Sequence, residues 1–248
     1  MTALAIEARN LVKTYKNKAA VRDLSLSVRP GVLYAFLGPN GAGKSTTLRM
    51  LYTLLKPDSG SAQVDGFDVR QSPLEVQRRI GVLADARGLY SRLTSRENIR
   101  YYGRLHGLEG DALEKQIDSL ISLLDMQSIM DRRTDGFSTG EKLKVAIART
   151  LVHNPKNVLL DEPTNGLDVM STRAMRQFIL RLREEGKCVV FTSHIMQEVA
   201  ALCDQIVIIS NGQVSATGSP DDLRKQTNRE NLEDAFVAVI GSDEGLLR

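Results

Sequence analysis

Tryptophan is absent from the 248 residues, and aromatic side chains make up only 5% of them. Few flat rings are therefore available as stacking platforms for nucleobases. A strong charge of one sign is missing too, since 33 Lys and Arg offset 30 Asp and Glu to leave +3. That balance gives no support to a basic nucleic-acid-binding surface, and no nucleic-acid partner is expected. No apolar run approaches the ~20 residues that a membrane-crossing helix requires. The longest, such as Ile206–Ile209, have the length of a strand. The opening MTALAIEARN carries neither a basic cluster nor a continuous apolar stretch, and it does not read as a secretory signal. Cysteine is limited to Cys188 and Cys203, both in apolar stretches without C-x-x-C spacing. They read as small buried hydrophobes in a reducing compartment, and the chain reads as cytoplasmic. Internal repeats and low-complexity linkers are also lacking.

What is present is an ordinary globular composition, 42% hydrophobic and 25% charged. Its length is one that a single α/β domain commonly occupies. Leu24, Leu26 and Val28 alternate with polar residues as a strand does, ending at Pro30-Gly31. Val32 to Leu37 is a continuous apolar run, the pattern of a strand covered on both faces. A Gly-rich turn follows, and residues 45–55 read as a helix closed by Lys56-Pro57. Turn residues at 58–60 and 65–66 bracket a short strand, and Ile80–Leu83 reads as another. From about 94 to 153 the period changes from two to 3.6. Thr94 and Glu97 have capping-box spacing ahead of Ile99, Tyr102 and Leu105. After Gly107 and Gly110 come Leu113, Ile117, Leu120, Ile121 and Leu124 on one helical face. A third helix begins near Gly140 and buries Leu143, Ala146, Ile147 and Leu151. Strand signals resume at Val158–Leu160, Cys188–Thr192 and Ile206–Ile209, with helices at about 171–185 and 195–202 between them. Asn211-Gly212 is a hairpin turn, Pro220-Asp221-Asp222 opens a last helical region over about 220–248, and the end after Gly241 reads as frayed.

Gly38, Gly43, Lys44 and Ser45 fit G-x-x-x-x-G-K-[ST] between a buried strand and a helix. The pattern has a physical reason. Gly41 and Gly43 let backbone N–H groups close around phosphates that a Cβ would crowd. The helix start supplies unpaired N–H groups and a positive dipole end. Lys44 can reach β- and γ-phosphates, and the Ser45 hydroxyl can ligate Mg²⁺. The plain alternative is a Gly-rich turn with a surface lysine. Val158-Leu159-Leu160-Asp161-Glu162 ends a strand in two carboxylates at the edge where the phosphate loop also lies. Such a pair, taken alone, is more often a solvated strand end. Beside a phosphate loop, Asp161 reads as a Mg²⁺ holder acting through water. Glu162 reads as the group that accepts a proton from the attacking water or orients it.

The segment FSTGEKLKVAIARTL, ending shortly before NVLLDEPTNGLD, resembles the ATP-binding subunits of ABC transporters. The likeness runs over about residues 4–240. Within that family, RIGVLADARGLYSRLTSRENIRYYGRLHGL and LLDEPTNGLDVMSTRAMR resemble NatA-type subunits of sodium exporters. The resemblance implies an α/β P-loop NTPase core of the ABC type, with an antiparallel β portion and an inserted α-helical subdomain at about 94–153. Residues 1–248 would form a single ATP-binding domain. It implies ATP and Mg²⁺ as cofactors, with the phosphates held by Gly38, Pro39, Asn40, Gly41, Ala42, Gly43, Lys44, Ser45 and Thr46. Tyr15, which alone would read as a packing residue, matches the aromatic that stacks on adenine. Ser138 and Gly140 match residues that touch the γ-phosphate of ATP held by the other subunit, and Asp168 matches the loop that crosses the dimer seam. His194, otherwise a strand-ending surface residue, matches the switch histidine that bonds the γ-phosphate. His106 and His153, beside Gly107 and Asn154-Pro155, read as structural.

The sequence departs from the family pattern at two places. Where the family has a Gln that contacts metal and water, this chain has Asp85, which stands as a metal-site candidate. In the signature segment, Thr139 replaces a Gly and Glu141 replaces a Gln. The implied partners are a second copy or a related subunit, arranged head to tail, and a membrane permease that holds the chain at the cytoplasmic face of the membrane. Residues 86–90 match the permease-contacting surface, with Leu89 and Tyr90 as apolar anchors or as local packing. The implied function is ATP-driven export, with sodium as the cargo. The alternatives are export of a drug or lipid, or a non-transport ABC ATPase in DNA repair, chromosome organisation or translation. Those non-transport relatives carry coiled coils or paired cassettes, and this chain has one cassette and no sustained heptads.

Overall fold

In the computed structural model, which describes residues 3–84 and 88–241, two long strands come first. β1 (Ile6–Tyr15) and β2 (Lys18–Val28) pair antiparallel. Burial alternates cleanly over Leu24, Leu26 and Val28 of β2. In β1 the buried set is Ile6, Ala8 and Leu11, so the phase slips by one residue. Asn10 makes the slip at φ 51°. Its N–H donates to Ser25 Oγ at 2.9 Å and its side-chain amide to Asp23 Oδ1 at 2.6 Å. A bulge of this kind erases period-two patterning, which is why the sequence does not mark β1 as a strand. β3 (Leu33–Leu37) then leads into α1 (Lys44–Leu51). This helix stops short of the expected residue 55. Thr53 turns into the left-handed region at φ 68°, and Leu55 N–H bonds back to Arg49 O. β4 (Ser59–Val64) and the two-residue β5 (Phe67–Asp68) complete an antiparallel sheet in the order β2-β1-β4-β5. α2 (Pro73–Arg79) buries only Val76, too little for a periodic signal, and leads into β6 (Ile80–Leu83).

Three helices follow: α3 (Ser95–Leu105), α4 (Gly110–Leu123) and α5 (Thr139–Leu151). Thr94 and Ser138 start α3 and α5 with reciprocal capping boxes to Glu97 and Glu141. The second half runs β7 (Asn157–Leu160), α6 (Val169–Glu184), β8 (Cys188–Ser193), α7 (Met196–Leu202), β9 (Gln205–Ser210) and β10 (Gln213–Gly218). α8 (Pro220–Thr227) and α9 (Leu232–Ile240) end it. Six strands form a second sheet in the order β10-β9-β3-β8-β7-β6, parallel except for β10.

Each apolar strand of this sheet feeds two cores. Leu33, Ala35 and Leu37 of β3 pack with the α3–α7 and α9 side, and Tyr34 and Phe36 pack with α1 and the antiparallel sheet. β7, β8 and β9 divide in the same way, Val158 from Leu159, Val189 from Val190, and Ile206 from Val207. Cover on both faces is what a continuous apolar strand requires. Cys188 and Cys203 are free thiols buried in these cores.

His106, capping α3, and His153, just past α5, stack at 3.6 Å between ring centroids with planes 2° apart. His153 Nε2 lies 3.1 Å from Ile80 O. Burial lowers both imidazoles, and for His153 the neighbouring ring adds to the effect, bringing it from 6.5 down to about 4. A base whose folded pKa lies below its unfolded value stabilises the fold above the unfolded value. That contribution is lost as pH falls toward the folded one. Thermal denaturation is expected to show a falling Tm between pH 6.5 and about 4. His153→Phe, which keeps a flat ring and removes the proton site, should flatten that slope.

Candidate active site

Adjacent parallel strands β3, β8 and β7 end on one edge of the sheet, where ligand sites of open α/β folds form. β3 runs into residues 38–46, β7 into Asp161 and Glu162, and β8 into His194. The loop after β3 is pressed against its neighbours. A Cβ on Gly38 would collide with the Ile209 carbonyl oxygen of β9. One on Gly43, at φ 104°, would sit 2.5 Å from Ala20 O of β2. Ala42 O accepts from Gly212 N at 3.0 Å, which ties the loop to the β9–β10 turn. Pro39 is half-buried, Asn40 and Gly41 are exposed, and Thr46 lies half-buried in the first turn of α1. Lys44 is 4% exposed, its ammonium donating to Gly38 O at 2.7 Å and Pro39 O at 3.0 Å. Burial lowers its pKa, with Glu162 and Asp161 pulling the other way.

Asp161 is the hub of the site. Its Oδ1 accepts from Ser45 Oγ at 2.9 Å and from Thr192 Oγ1 at 2.7 Å. Thr192 Oγ1 in turn accepts from Glu162 N at 2.8 Å. Glu162 takes a left-handed backbone at φ 46°, unusual for a residue other than Gly. Its carboxylate lies 3.6 Å from His194 Nδ1 and accepts from Asn165 Nδ2 at 3.2 Å. Ser45 and Asp161 thus present hard oxygen donors side by side. Among the described residues no group of three or more His, Cys, Asp or Glu gathers around a metal position. So sparse a set of oxygens fits Mg²⁺, which takes one or two protein ligands and fills its shell with phosphate and water.

The structure thus brings together Lys44, Ser45, Asp161, Glu162 and His194. The rest of residues 38–46 surround Lys44 and Ser45 in the loop, whereas Ser138, Gly140, Asp168 and Tyr15 lie elsewhere on the chain. Ser138 caps α5, accepting from Glu141 N at 3.2 Å, and Gly140 lies in the first turn of that helix. Neither has a hydrogen bond to the phosphate loop of its own chain among the described residues. A cavity of about 560 Å³ runs from Ser45, Asp161 and Glu162 to Thr139 and Lys142. Asp168 caps α6, its carboxylate accepting from Ser171 N at 2.8 Å, a bond that holds the carboxyl below its usual range. Tyr15 is 45% exposed at the end of β1, with Lys13 Nζ 6.0 Å from its ring centroid. Asp85, Ala86 and Arg87 lie outside the described residues. Leu89 packs partly against the helical core, while Tyr90 is 47% exposed.

Thr192 escapes the sequence reading because a threonine inside CVVFTS looks like an ordinary strand former. Only its place at the carboxyl end of a strand beside Ser193-His194 hints otherwise. It is fully buried, so Thr192→Val leaves Asp161 and the Glu162 N–H each one partner short. Unsatisfied buried groups cost about 1–3 kcal/mol, which lowers Tm by ~2–12 °C in a domain of this size. Calorimetry should find that loss in Thr192→Val and its recovery in Thr192→Ser.

Comparison with known proteins agrees with this geometry. Residues 21–165 match the family model described as ABC transporter. The chain is 46% identical over 222 residues to the ABC transporter ATP-binding protein NatA of Bacillus subtilis (strain 168), covering 89% of this chain and 90% of that protein. It is 34% identical over 242 residues to the linearmycin resistance ATP-binding protein LnrL of the same strain, covering 98% and 77%. Among solved structures, an ATP-binding subunit of an ABC transporter superposes with a TM-score of 0.86 at 27% identity, covering 95% of this chain and 99% of that one. The ATP-binding cassette MJ0796, a dimer in a post-hydrolysis state bound to ADP and Pi, gives 0.78 at 25% identity, covering 86% and 98%. The chain belongs to the ABC transporter family, as one of its ATP-binding, ATP-hydrolysing subunits.

Proposed function

We propose that two copies of this chain close head to tail around two ATP molecules and drive export of sodium ion through a separate membrane permease. The observation that carries the hydrolytic part is the Glu162 carboxylate 3.6 Å from His194, beside the Ser45–Asp161–Thr192 network. In this reading Glu162 accepts a proton from the attacking water or orients it, and His194 donates to the γ-phosphate. Lys44 and the backbone N–H groups of the loop, which Pro39 lacks, hold the phosphates, and Tyr15 stacks on the base. Mg²⁺, held by Ser45 and Asp161, neutralises charge on the phosphate oxygens when bound. Asp85 joins the metal site on the resemblance alone. A carboxylate there binds Mg²⁺ more strongly than Gln but donates no hydrogen bond.

Closure by a second copy would be isologous, each subunit giving Ser138 and Gly140 to the other's ATP. The Ser138 oxygen accepts from Glu141 N, which leaves its O–H free to donate to a phosphate. Val169 and Met170, 84% and 72% exposed, follow Asp168 directly and form an apolar patch of the kind a partner covers. No helix among the described residues is long and apolar enough to cross a membrane, which supports a pathway borrowed from another polypeptide. Tyr90 and Tyr101, edge to face at 5.1 Å and both well exposed, are the surface we assign to the permease at the cytoplasmic face.

Sodium as cargo rests on the NatA-type resemblance. Drug export is the second reading, favoured by relatives named for linearmycin resistance and, at 39% identity, for daunorubicin/doxorubicin resistance. Reconstitution of the chain with its copurifying permease in vesicles tests both. ATP-dependent sodium flux is expected, and Glu162→Gln should reduce flux and hydrolysis on the order of 10²–10⁴-fold while retaining ATP binding. Flux of a drug without sodium would replace the cargo assignment. Near-normal hydrolysis in Glu162→Gln would remove Glu162 from the chemistry.

The shared site has its own test. Ser138→Arg and Lys44→Ala should each abolish hydrolysis alone. Mixed after subunit exchange, they should recover activity, because one of the two composite sites is then intact. Mixed dimers without recovery would argue against a site built from two chains.

A further inference from the structure

α7 begins two residues after His194 and carries Glu198, a carboxylate only 2% exposed. A buried carboxylate is costly unless its lone pairs are satisfied. Here the two oxygens are split between two different segments. Oε2 accepts from Thr164 Oγ1 at 2.7 Å, and Oε1 from Arg176 Nη2 at 3.0 Å. Thr164 lies in the loop that starts at Glu162 and ends at Asp168, and Arg176 lies on α6, which that loop enters. A pair built only for stability would use the bidentate fork of the guanidinium. Arg176 instead offers one nitrogen, and its Nε is buried without a partner. The geometry serves to bind three segments rather than to optimise one ion pair.

Pro163 is buried and Leu167 packs against the helical core, so the loop has apolar anchors, and the Thr164 hydroxyl is its polar tie to α7. Asn165 N–H returns to Glu162 O at 3.0 Å and Leu167 N–H to Thr164 O at 3.3 Å, bonds that shape the loop without fixing it to the body of the protein. Glu162 at its head sits in the left-handed backbone and must be held there. Thr192 fixes the Glu162 N–H from one side. Glu198 fixes the loop two residues later, from the helix that follows His194.

We propose that Glu198, acting through Thr164, is a positioning residue for ATP hydrolysis: it sets the carboxylate of Glu162 against His194 and carries Asp168 to the dimer seam. This rests on the assignment of Glu162 and His194 made above. Displacing a reacting group by a fraction of an ångström to 1 Å lowers rate without weakening ground-state binding.

The test is ATP turnover by the full-length chain with Thr164→Val, Thr164→Ser, Glu198→Ala and the Thr164→Val/Glu198→Ala pair. Thr164→Val should lower kcat on the order of 10- to 10²-fold, with half-saturating ATP within about twofold. Thr164→Ser, which keeps the hydroxyl, should restore kcat. In the Glu198→Ala background Thr164→Val should cost nothing further. Arg176→Met, which removes only the pin to α6, should lower Tm more than kcat. Wild-type kcat in Thr164→Val overturns the inference, as does a kcat loss that tracks the folded fraction or a failure of serine to rescue. Glu162→Gln run in the same assay separates the two levels. If it is inactive while Thr164→Val is normal, the positioning role falls and the assignment of Glu162 stands. If it turns over normally, both fall.

Discussion

A single carboxylate oxygen, Asp161 Oδ1, accepts hydrogen bonds from Ser45 and from Thr192, and this fixes the level at which three strands must end. The register enforces it. Leu37 pairs with Ser193 and Leu160 with Phe191, so the turn after β3 and the acid after β7 meet Thr192 across β8. A one-residue slip of β8 would turn the Thr192 hydroxyl to the opposite face of the sheet. The apolar residues of β3, β7, β8 and β9 divide strictly between the two cores, and the same slip would invert that division. Core packing and site geometry therefore demand the same register, and the large hydrophobic term holds the small polar one in place.

The left-handed backbone of Glu162 is tolerable for the same reason. Such a conformation costs on the order of 1–3 kcal/mol in a residue other than Gly. Its N–H is caught by Thr192, its carbonyl accepts from Asn165 N, and its carboxylate accepts from Asn165 Nδ2. Asp161 itself continues from β7, its N–H donating to Leu83 O of β6 at 2.9 Å. The reversal therefore falls wholly on Glu162, two residues after Leu160, the last buried position of the strand. That is how neighbouring carboxylates come to face different tasks: Asp161 is drawn into the hydroxyl network, and Glu162 is aimed at His194.

Legibility in the sequence followed the physics of each part. The phosphate loop was readable because only glycine fits against Ile209 O and Ala20 O, and the buried strands because they are apolar on both faces. β1 was hidden by the bulge at Asn10, and α2 by having one buried residue. Thr192 and Glu198 were hidden differently. One looks like a strand former and the other like the charged face of a helix, and only tertiary neighbours reveal that both are enclosed. Ser138, Gly140 and Asp168 were located by family resemblance and stand at helix N-termini away from the phosphate loop of their own chain. In the proposed head-to-tail dimer these residues would meet the other subunit's ATP, so one chain alone would show no contacts that mark them.

Glu141 shows how a departure from a family pattern can be re-read once its neighbours are known. A free carboxylate beside a γ-phosphate would repel it. This one is not free. Oε2 accepts from Ser138 N at 2.9 Å and Oε1 from Arg132 Nη1 at 2.9 Å, with the Arg132 guanidinium lying 5.0 Å from the centroid of the Phe137 ring. The Ser138 bond, with Arg132 adding to it, holds the carboxyl below its usual range, so the group stays ionised and paired. Its charge is matched by Arg132 and by the positive end of α5. Gln in that place would close the same capping box without charge. The exchange therefore changes how the helix start is held, while the Ser138 hydroxyl keeps its O–H to give.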